Sequence, residues 1–237
     1  MNLKKQLMNK SSTKISVIMS VYNAQETVKN SIKSILEQSY KEFEFLILDD
    51  CSTDQTFNIC KKLKEEDSRI ELYRNDKNLG LTKSLNKLIS YSNGEIIARQ
   101  DSDDISKKER LQKQLNYLCD NDLDGCTSKA NVMNEKKIIP GLSFFLPKKI
   151  VIRYKNPFIH GTLLIKKSVL EENNFYDEDF YYSQDYKLMY DLIKKNKKIK
   201  IMNENLYILN MKNNISTLKK EEQNYYAKCV RKNISPL

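Results

Sequence analysis

The sequence predicts an α/β protein built on a doubly wound, mostly parallel sheet, and two patterns indicate this fold class. Through the first half of the chain, short apolar runs rich in β-branched residues alternate with segments of helical periodicity. Two of these runs, ISVIM and FLIL, are almost wholly apolar, which is typical of strands buried on both faces. Because strands that alternate with helices pair in parallel, the order β-α-β-α-β-α-β favours a sheet covered by helices.

Taken in order, the first hundred residues contain predicted strands separated by predicted helices. The strands are expected at 14–23, 43–50, 69–75 and 95–101, and the helices at 26–39, 55–66 and 82–92. Two S-x-x-[EQ] capping boxes, beginning at Ser52 and Ser106, predict one helix start at about Gln55 and another near Lys107. The later helix should run through three apolar positions, Leu111, Leu115 and Leu118.

The composition indicates a globular protein. The chain has 237 residues, of which 40% are hydrophobic and 30% charged, and we read it as one continuous fold. It divides into an N-terminal arm (1–13), a first half (14–120), a second half (121–205) and a basic tail (206–237). The net charge of +10 favours anionic partners, although lysines interleaved with glutamates also fit ordinary solvated surfaces. Nucleic acid is not expected, because the basic residues are scattered and no recognition motif occurs.

The chain is expected in the cytoplasm. The longest apolar run, ISVIMSVY, is too short to cross a bilayer. The N-terminus lacks the continuous apolar core of a secretory signal, and five cysteines without a C-x-x-C pair suit a reducing compartment. The tail combines basic and aromatic residues, so peripheral contact with the cytoplasmic face of the inner membrane is expected there.

An acidic cluster, ARQDSDDIS, follows the fourth predicted strand and contains Asp101, Asp103 and Asp104. Carboxylates this close repel one another, so they are either solvated in a turn or bound to a cation. Mg²⁺ and Mn²⁺ prefer such oxygen ligands. An EF-hand is excluded, because the sixth loop position is Ser106 instead of glycine and the twelfth is Gln112 instead of glutamate.

Polar residues also follow the first and second strands, at Tyr22 and Asp50, and parallel strands bring such ends to one edge of the sheet. Neither G-x-G-x-x-G nor G-x-x-x-x-G-K-[ST] occurs, so the common backbone cradles for phosphate are missing. A nucleotide bound at this edge would need a carboxylate-held divalent ion to neutralise its pyrophosphate. Lys83 and Arg99 could assist as fixed cations, with a solvated surface position as the alternative for each.

The stretches SVIMSVYNAQETVKNSIKSILEQSYKEFEFLILDDCSTDQT, NLGLTKSLN and ARQDSDDISKKERL resemble the family 2 glycosyltransferases of GT-A fold. The resemblance is strong over 14–118 and weaker to about residue 216. It implies inverting transfer of a sugar from a nucleotide diphosphate donor, most often UDP-linked, with Mn²⁺ or Mg²⁺ as cofactor. The acceptor would be a hydroxyl of a glycan or lipid-linked glycan, in lipopolysaccharide or other cell-surface polysaccharide biosynthesis. Residues 14–120 would then bind the donor and 121–205 the acceptor.

The resemblance assigns roles in the nucleotide pocket. Ser20 and Tyr22 would line it, and Asp50 would hydrogen-bond the base. The residues alone leave open a second role for Asp50, as a turn-capping carboxylate ahead of Ser52. Lys83 would approach the ribose or phosphate.

The same resemblance assigns roles to the residues of the acidic cluster. Asp101 and Asp103 match the D-x-D motif, with Asp101 near the ribose and also a metal ligand. Asp103 would be the main ligand of the metal that bridges the diphosphate. Asp104 would instead be a loop or helix-capping residue.

In the second half, the resemblance implies that Asp185 is the general base and that His160, in HGT, lines the donor-sugar site. A lone histidine is otherwise most often structural, and an acid in a first helical turn is common because of the helix dipole. The chain departs from the family pattern in two places. Gln184 replaces the usual acid before the base, and Met211 and Lys212 lie where related chains have a histidine that can reach the metal or pyrophosphate. Either Lys212 would replace that charge or the donor site would close differently.

Two other functions remain open at the level of sequence. One is a non-catalytic protein of the same fold that binds a nucleotide sugar or glycan. The other is a metal-dependent nucleotidyltransferase, which would release pyrophosphate instead of a nucleoside diphosphate. A processive polysaccharide synthase is not expected, because the chain has no Q-x-x-R-W motif and no predicted membrane span.

Overall fold

Strands and helices alternate along the chain in the computed structural model, which describes residues 14–212 and 219–236. The expected N-terminal arm, 1–13, lies outside the described residues. The strands are β1 Ile15–Val21, β2 Phe43–Asp49, β3 Ile70–Arg74, β4 Ile96–Arg99, β5 Ile105–Ser106, β6 Gly125–Val132, β7 Ile138–Ile139, β8 Leu164–Lys166 and β9 Ile199–Leu209. The helices are α1 Val28–Leu36, α2 Thr56–Glu66, α3 Leu81–Tyr91, α4 Arg110–Asp120, α5 Lys148–Val151, α6 Lys167–Glu172, α7 Gln184–Lys194 and α8 Lys220–Lys232, with short 3₁₀ turns at Leu142–Phe144 and His160–Thr162.

The first half forms the predicted parallel sheet, in the order β3-β2-β1-β4. Every residue of β2 is buried, and β1 is buried except at half-buried Ser20, which agrees with their apolar sequences. In the register of β1 and β2, Ile15 lies opposite Phe43 and Val21 opposite Asp49. Because the strands finish level with each other, the residues that follow them emerge at the same edge.

The later strands extend the same sheet in the order β4-β8-β6-β9, with β7 added to β6, and β5 from the first half pairs with β9 at the far edge. Strand β8 is antiparallel to both β4 and β6, whereas β6 and β9 pair in parallel. The β6–β9 register shifts on either side of Lys129. The donor-side and acceptor-side halves expected from sequence are therefore joined by continuous strand pairing.

Helices cover both faces of the sheet, because the side chains of β1 and β2 alternate between two cores. Ile18 and Leu46 belong to the core under α3 and α7, and Val17 and Phe45 belong to the core under α1, α2 and α4. This arrangement confirms the doubly wound α/β class. All five cysteines are free thiols, as the sequence predicted.

The capping box at Ser52 does not form. Helix α2 begins at Thr56, with Gln55 in the cap position and no side-chain cap hydrogen bond. Instead, the Ser52 hydroxyl accepts a hydrogen bond at 3.0 Å from the backbone N–H of Asn23, which follows β1. The Ser52 oxygen that would cap the helix is therefore bound to a residue distant in the sequence.

The capping box at Ser106 is wrong for the same reason. Ser106 lies in β5, and its hydroxyl donates to Gln100 Oε1 at 2.6 Å. Helix α4 begins only at Arg110, again without a side-chain cap. Its apolar face is as predicted, because Leu111, Leu115 and Leu118 are buried.

The tail ends in α8, which packs against the protein. Cys229 and Val230 are buried in the core that α7 also covers, and Tyr226 and Ala227 pack against that core. The apolar side of α8 is therefore largely used within the fold. Membrane contact through the tail stays a prediction. In the part of the chain that the structure describes, none of the helices has both the length and the apolarity needed to cross a membrane.

Glu44 joins three elements at the amino end of the sheet. Its Oε1 accepts hydrogen bonds at 2.6 Å from Ser16 Oγ on β1 and from the backbone N–H of Asn93, ahead of β4. Its Oε2 accepts from Asn93 Nδ2 at 3.0 Å and lies 2.9 Å from Lys14 Nζ. Although burial alone would raise the pKa, the hydrogen bonds from Ser16 and Asn93 lower the pKa of Glu44 to about 2.

We predict that Glu44→Gln lowers the free energy of unfolding at neutral pH by about 1.5–3 kcal/mol, because charged hydrogen bonds are lost. A depressed carboxyl pKa contributes stability above the unfolded value of 4.5, and that stability is lost as the pH falls through about 2. The difference between the two proteins should therefore shrink on acidification in urea unfolding experiments. Exposed Glu42→Gln is the control. Equal stabilities at neutral pH would contradict the prediction.

Candidate active site

Three strand ends meet at one edge of the sheet, as the sequence predicted. Ser20 is half-buried in β1, and Tyr22 follows that strand with its ring 50% exposed. Asp50 follows β2 and is buried, and Asp101 follows β4 and is partly exposed. The parallel register places these side chains along one rim, where open α/β sheets bind ligands.

The Asp50 carboxylate holds the loop between β3 and α3. It accepts hydrogen bonds from Asn75 Nδ2 at 2.8 Å and from the backbone N–H groups of Leu79 and Gly80 at 2.9 and 2.8 Å. A carboxylate has about four acceptor positions, so these donors leave about one for a ligand. The turn ahead of Ser52 is capped by the neighbouring residue and not by Asp50, because the Ser52 N–H donates to Asp49 Oδ2 at 3.2 Å.

A second tyrosine lies beside this position. Tyr181 is 48% exposed, and burial of its hydroxyl raises its pKa, with Tyr182, Asp50 and Tyr22 nearby adding to the shift. Its ring contacts Gly80, where a Cβ would lie 2.4 Å from Tyr181 Cε2. Gly80 also has a φ of +83°, which favours glycine. Tyr181 was not predicted from the sequence, since nothing in YYSQD marks one tyrosine as a neighbour of Asp50.

Arg99 supports Asp101 from beneath. Its guanidinium is buried, with 1% of the side chain exposed, and its Nη2 lies 2.6 Å from Asp101 Oδ1. A second guanidinium nitrogen donates to the backbone carbonyl of Gln100. Arg99 is thus a cation that fixes a carboxylate, and it is not a solvated surface residue.

Gln100 fixes the backbone of the acidic loop. Its Nε2 donates at 3.0 Å to the carbonyls of Asp101 and Asp104 and to Ser31 Oγ. Ser31 Oγ in turn donates to the Asp101 carbonyl at 2.6 Å. The sequence alone offered no signal for this role, because glutamine is an ordinary residue at a strand end.

The remaining acids of the cluster differ in their contacts. Burial raises the pKa of Asp103 to about 6, and the charge of Asp101 adds to the shift. Burial, together with the charges of Asp101 and Asp103, raises the pKa of Asp104 to about 9. Asp104 Oδ1 accepts a hydrogen bond at 2.7 Å from the backbone N–H of Asn210, just after β9. Asp104 is therefore a loop residue that ties two segments together, but it does not cap α4.

The donor set at this loop fits a divalent cation shared with a ligand. Among the described residues, no three His, Cys, Asp or Glu side chains come together as a complete metal site. Mg²⁺ and Mn²⁺ in nucleotide sites are commonly held by one or two carboxylates and the substrate phosphates. Asp103, for which no side-chain partner is found among the described residues, and the free oxygen of Asp101 meet that requirement.

Gly161 allows the second half of the chain to approach the acidic loop. A Cβ at Gly161 would lie 2.5 Å from Asp101 Oδ2 and 2.4 Å from the Tyr207 hydroxyl. Tyr207, on β9, accepts a hydrogen bond at 3.2 Å from the Asp101 N–H. Beneath them lies the buried guanidinium of Arg110, 3.4 Å from the Gly161 carbonyl and 5.6 Å from the centre of the Tyr207 ring.

The sequence did not predict the roles of Gly161, Tyr207 and Arg110. Gly161 lies in the HGT segment, but its proximity to Asp101 has no sequence signal. Burial lowers the pKa of Arg110 to about 10, so its guanidinium still carries a positive charge at neutral pH. Within the described residues its Nε and Nη2 have no hydrogen-bond partner.

His160 directly precedes Gly161, and its imidazole is neutral at pH 7. Burial, together with the Arg99 guanidinium, lowers its pKa to about 4, while the charges of Asp185 and Asp101 oppose the shift. Its Nε2 is 2.7 Å from the Tyr176 hydroxyl. His160 therefore lies among the charged groups of the site and can act only through hydrogen bonds at neutral pH.

Asp185 lies in the first turn of α7, where it is half-buried. Its Oδ2 accepts a hydrogen bond at 2.8 Å from Asn156 Nδ2, and Asn156 Oδ1 accepts from the Phe158 N–H at 3.0 Å. The second contact fixes the orientation of the amide. Gln184, which replaces the family's usual acid, is buried.

The two lysines noted in the sequence are both exposed. Lys83, on α3, lines a cavity of about 810 Å³ between that helix and 173–178, and none of the site carboxylates lines it. Lys212 lies two residues after Asn210, the residue that donates to Asp104. The roles of Lys83 and Lys212 at the donor stay predictions.

The chain matches the model of the family described as Glycosyl transferase family 2 over residues 16–173. It is 37% identical to a putative glycosyltransferase, EpsE, of Bacillus subtilis over 67% of this chain, and it spans 58% of the length of that relative. It is 34% identical to the O-antigen biosynthesis glycosyltransferase WbnJ of Escherichia coli, covering 90% of this chain and 84% of the relative. The E. coli UDP-Glc:alpha-D-GlcNAc-diphosphoundecaprenol beta-1,3-glucosyltransferase WfgD is 32% identical over 77% of this chain and 70% of that protein.

Two solved structures share the fold. S. aureus TarS 1–349 in complex with UDP matches with a TM-score of 0.75 and 22% identity, covering 92% of this chain and 64% of that one. The mannosyltransferase PcManGT from Pyrobaculum calidifontis, in complex with GDP-Man and Mn²⁺, matches with a TM-score of 0.72 and 17% identity, over 99% and 71% of the two chains. These matches confirm the expected GT-A architecture.

We predict that Gly161→Ala displaces the Asp101 carboxylate, because the new Cβ overlaps it. Overpacking of this kind costs about 1–3 kcal/mol, so the free energy of unfolding should fall by about that amount. Urea unfolding measures the change. The control is Gly141→Ala, whose Cβ meets no atom within 4 Å. If both variants are as stable as the unchanged protein, the close approach of Gly161 to Asp101 does not constrain the fold.

Proposed function

Because the chain belongs to glycosyl transferase family 2, we propose that it transfers a sugar from a nucleotide diphosphate donor to a hydroxyl group, with inversion at the anomeric carbon. The observation that carries the proposal is that Asp50, Asp101 and Asp103 follow the parallel strands β2 and β4 at one edge of the sheet, and that the charges of Asp101 and Asp185 both act on His160. Together these four carboxylates would supply a hydrogen bond to the nucleobase, a cation site and a proton acceptor. The donor proposed is UDP-linked.

The nucleoside would bind between the ends of β1 and β2. The exposed rings of Tyr22 and Tyr181 are suited to contact a flat base, and the remaining acceptor position of Asp50 would take one hydrogen bond from it. Ser20 lies in the same strand end. A UDP donor is supported by the names of WfgD and of the TarS complex.

Asp103 and Asp101 would hold Mn²⁺ or Mg²⁺. The bound cation would offset the negative charge that the diphosphate gains as it departs. Arg99 keeps Asp101 in place for this role. A Mn²⁺ ion accompanies the donor in the PcManGT structure, which supports a divalent ion at this fold's donor site.

Asp185 would act as the general base. The acceptor oxygen attacks the anomeric carbon as the bond from that carbon to the diphosphate breaks, and the nucleoside diphosphate leaves with the electron pair. The hydroxyl proton passes to Asp185. Asn156 orients the carboxylate through its hydrogen bond. Neutral His160 would line the donor-sugar position without adding charge there.

The acceptor proposed is a glycan or lipid-linked glycan in cell-surface polysaccharide biosynthesis. WbnJ is named for O-antigen biosynthesis, and the name of WfgD specifies a diphosphoundecaprenol-linked acceptor. A cytoplasmic location, with peripheral contact to the membrane that carries such an acceptor, is part of the proposal.

We predict that a thermal-shift screen identifies a nucleotide sugar that stabilises the protein only with Mn²⁺ or Mg²⁺, because a ligand that binds the native state raises its melting temperature. Asp103→Ala should remove the metal-dependent part of the shift while the protein stays folded. Exposed Asp120→Ala is the control. An Asp103→Ala variant with the same metal-dependent shift would overturn the metal assignment.

We predict that Asp185→Asn slows transfer by about 10²- to 10⁴-fold while donor binding is retained, the usual contribution of a general base. Product analysis also separates the functions left open by the sequence, since a nucleotidyltransferase releases pyrophosphate and a binding protein releases no product. Asp191→Asn, further along α7 and paired with Lys187, is the control. Near-normal turnover of Asp185→Asn would show that another group accepts the proton.

A further inference from the structure

One surface segment, residues 136–155, concentrates exposed apolar side chains. Its exposed members are Ile138, Leu142, Phe145, Leu146, Ile150 and Tyr154. Among the described residues, five of the six exposed Leu, Ile and Phe side chains lie in this segment. Leu142 and Phe145 are the most exposed, at 86% and 76%. Contiguous exposed apolar surface of this kind marks an interaction site.

The same segment has charge of one sign only. It contains six cations and no Asp or Glu, and therefore carries +6 of the chain's net charge of +10. The cations are Lys136, Lys137, Lys148, Lys149, Arg153 and Lys155. Within the described residues, none of them forms an ion pair with a carboxylate. Apart from Lys148, whose Nζ donates to three backbone carbonyls, their charge is therefore available to an external partner.

Lys148 gives the apolar turn a fixed shape. Its Nζ donates to the carbonyls of Ser143, Phe144 and Leu146 at 3.0, 2.6 and 2.9 Å. The Phe144 ring packs against the core and lies 3.9 Å from Lys129 Nζ, measured to the ring centre. That ring is turned inward and the carbonyls are satisfied, whereas the side chains of Leu142, Phe145 and Leu146 remain exposed.

The helical turn that follows is two-sided. Val151, in α5, and Ile152, directly after it, are buried, whereas Ile150, in α5, and Tyr154, three residues beyond its end, are exposed. Apolar exposed side chains thus continue from the 3₁₀ turn into α5, with cations beside them. This combination is typical of segments that lie in a membrane interface.

We propose that residues 136–155 form a docking surface for an anionic lipid bilayer. A lipid surface with negative headgroups complements both properties, because it accepts exposed apolar side chains and attracts lysine and arginine. A second copy of the chain would instead bring six cations against six cations. This site differs from the tail, whose apolar side packs on the core.

The docking surface adjoins the candidate active site in the sequence. Asn156, the next residue along the chain, donates to Asp185. A bilayer at 136–155 would therefore lie near the proposed general base, where a lipid-linked acceptor could reach it. This last step rests on the proposed sugar transfer, whereas bilayer binding at 136–155 does not.

The apolar contribution is tested by co-sedimentation with vesicles of phosphatidylglycerol in an excess of phosphatidylcholine. We expect the full chain to bind them, and Leu142→Ser with Phe145→Ser to weaken binding about 10-fold or more, since buried apolar groups supply much of interfacial affinity. Melting temperature and UDP binding should be unchanged, because neither residue lies in the donor site. Ile234→Ser, an exposed apolar residue of the tail, is the matched control.

The charge contribution is tested on the same vesicles with variants that leave the apolar turn intact. Lys136→Gln with Lys137→Gln should weaken binding about 10-fold or more, and high salt or pure phosphatidylcholine vesicles should do the same. The control is Lys61→Gln with Lys62→Gln, an exposed lysine pair on α2. These surface changes should not affect folding.

Three results would overturn the docking proposal. The first is the absence of binding to anionic vesicles by the unchanged protein. The second is equal weakening by Ile234→Ser or by the α2 lysine variant, which would mean that the surface is not specific. The third is self-association without vesicle binding, abolished by Leu142→Ser with Phe145→Ser, which would assign the surface to a second copy. None of these results depends on glycosyl transfer, so failure here is distinguishable from failure of the proposed function.

Discussion

The ion pair between the buried guanidinium of Arg99 and the partly exposed carboxylate of Asp101 is the interaction on which the candidate site depends. Asp101, Asp103 and Asp104 lie within four positions, and burial with mutual repulsion raises the pKa of the last two. Arg99 lies beneath Asp101 and holds its carboxylate at 2.6 Å. Because the guanidinium is enclosed by the sheet, solvent screens its charge weakly. A second buried guanidinium, that of Arg110, adds positive charge below the loop.

The backbone of the acidic loop is held as firmly as its charges. Gln100 and Ser31 satisfy the carbonyls of the loop, and Asp104 binds the backbone just after β9. Gly161 brings the second half of the chain against Asp101, so side chains from both halves complete one site. Preorganisation of this kind keeps the carboxylates in place before any ligand arrives.

The charge of the protein is divided between two surfaces with different partners. At the sheet edge, carboxylates offer ligands for a cation, and the docking surface at 136–155 offers cations and apolar side chains to lipid. Asn156 connects them, because it follows the docking surface in sequence and hydrogen-bonds Asp185. An acceptor bound to a membrane and a donor bound at the sheet edge would meet at that carboxylate.

Local patterns in the sequence were sufficient for the parallel sheet of β1 to β4 and for the strand ends that carry the predicted site, because periodicity and strand order depend on neighbouring residues. Both capping boxes were wrong, since the hydroxyls of Ser52 and Ser106 bind partners that only tertiary folding brings near. The places of Gly161 and Tyr207 against Asp101 were likewise invisible in the sequence. Contacts between residues far apart in the chain depend on how the two halves of the sheet pair, and only the tertiary structure decides that.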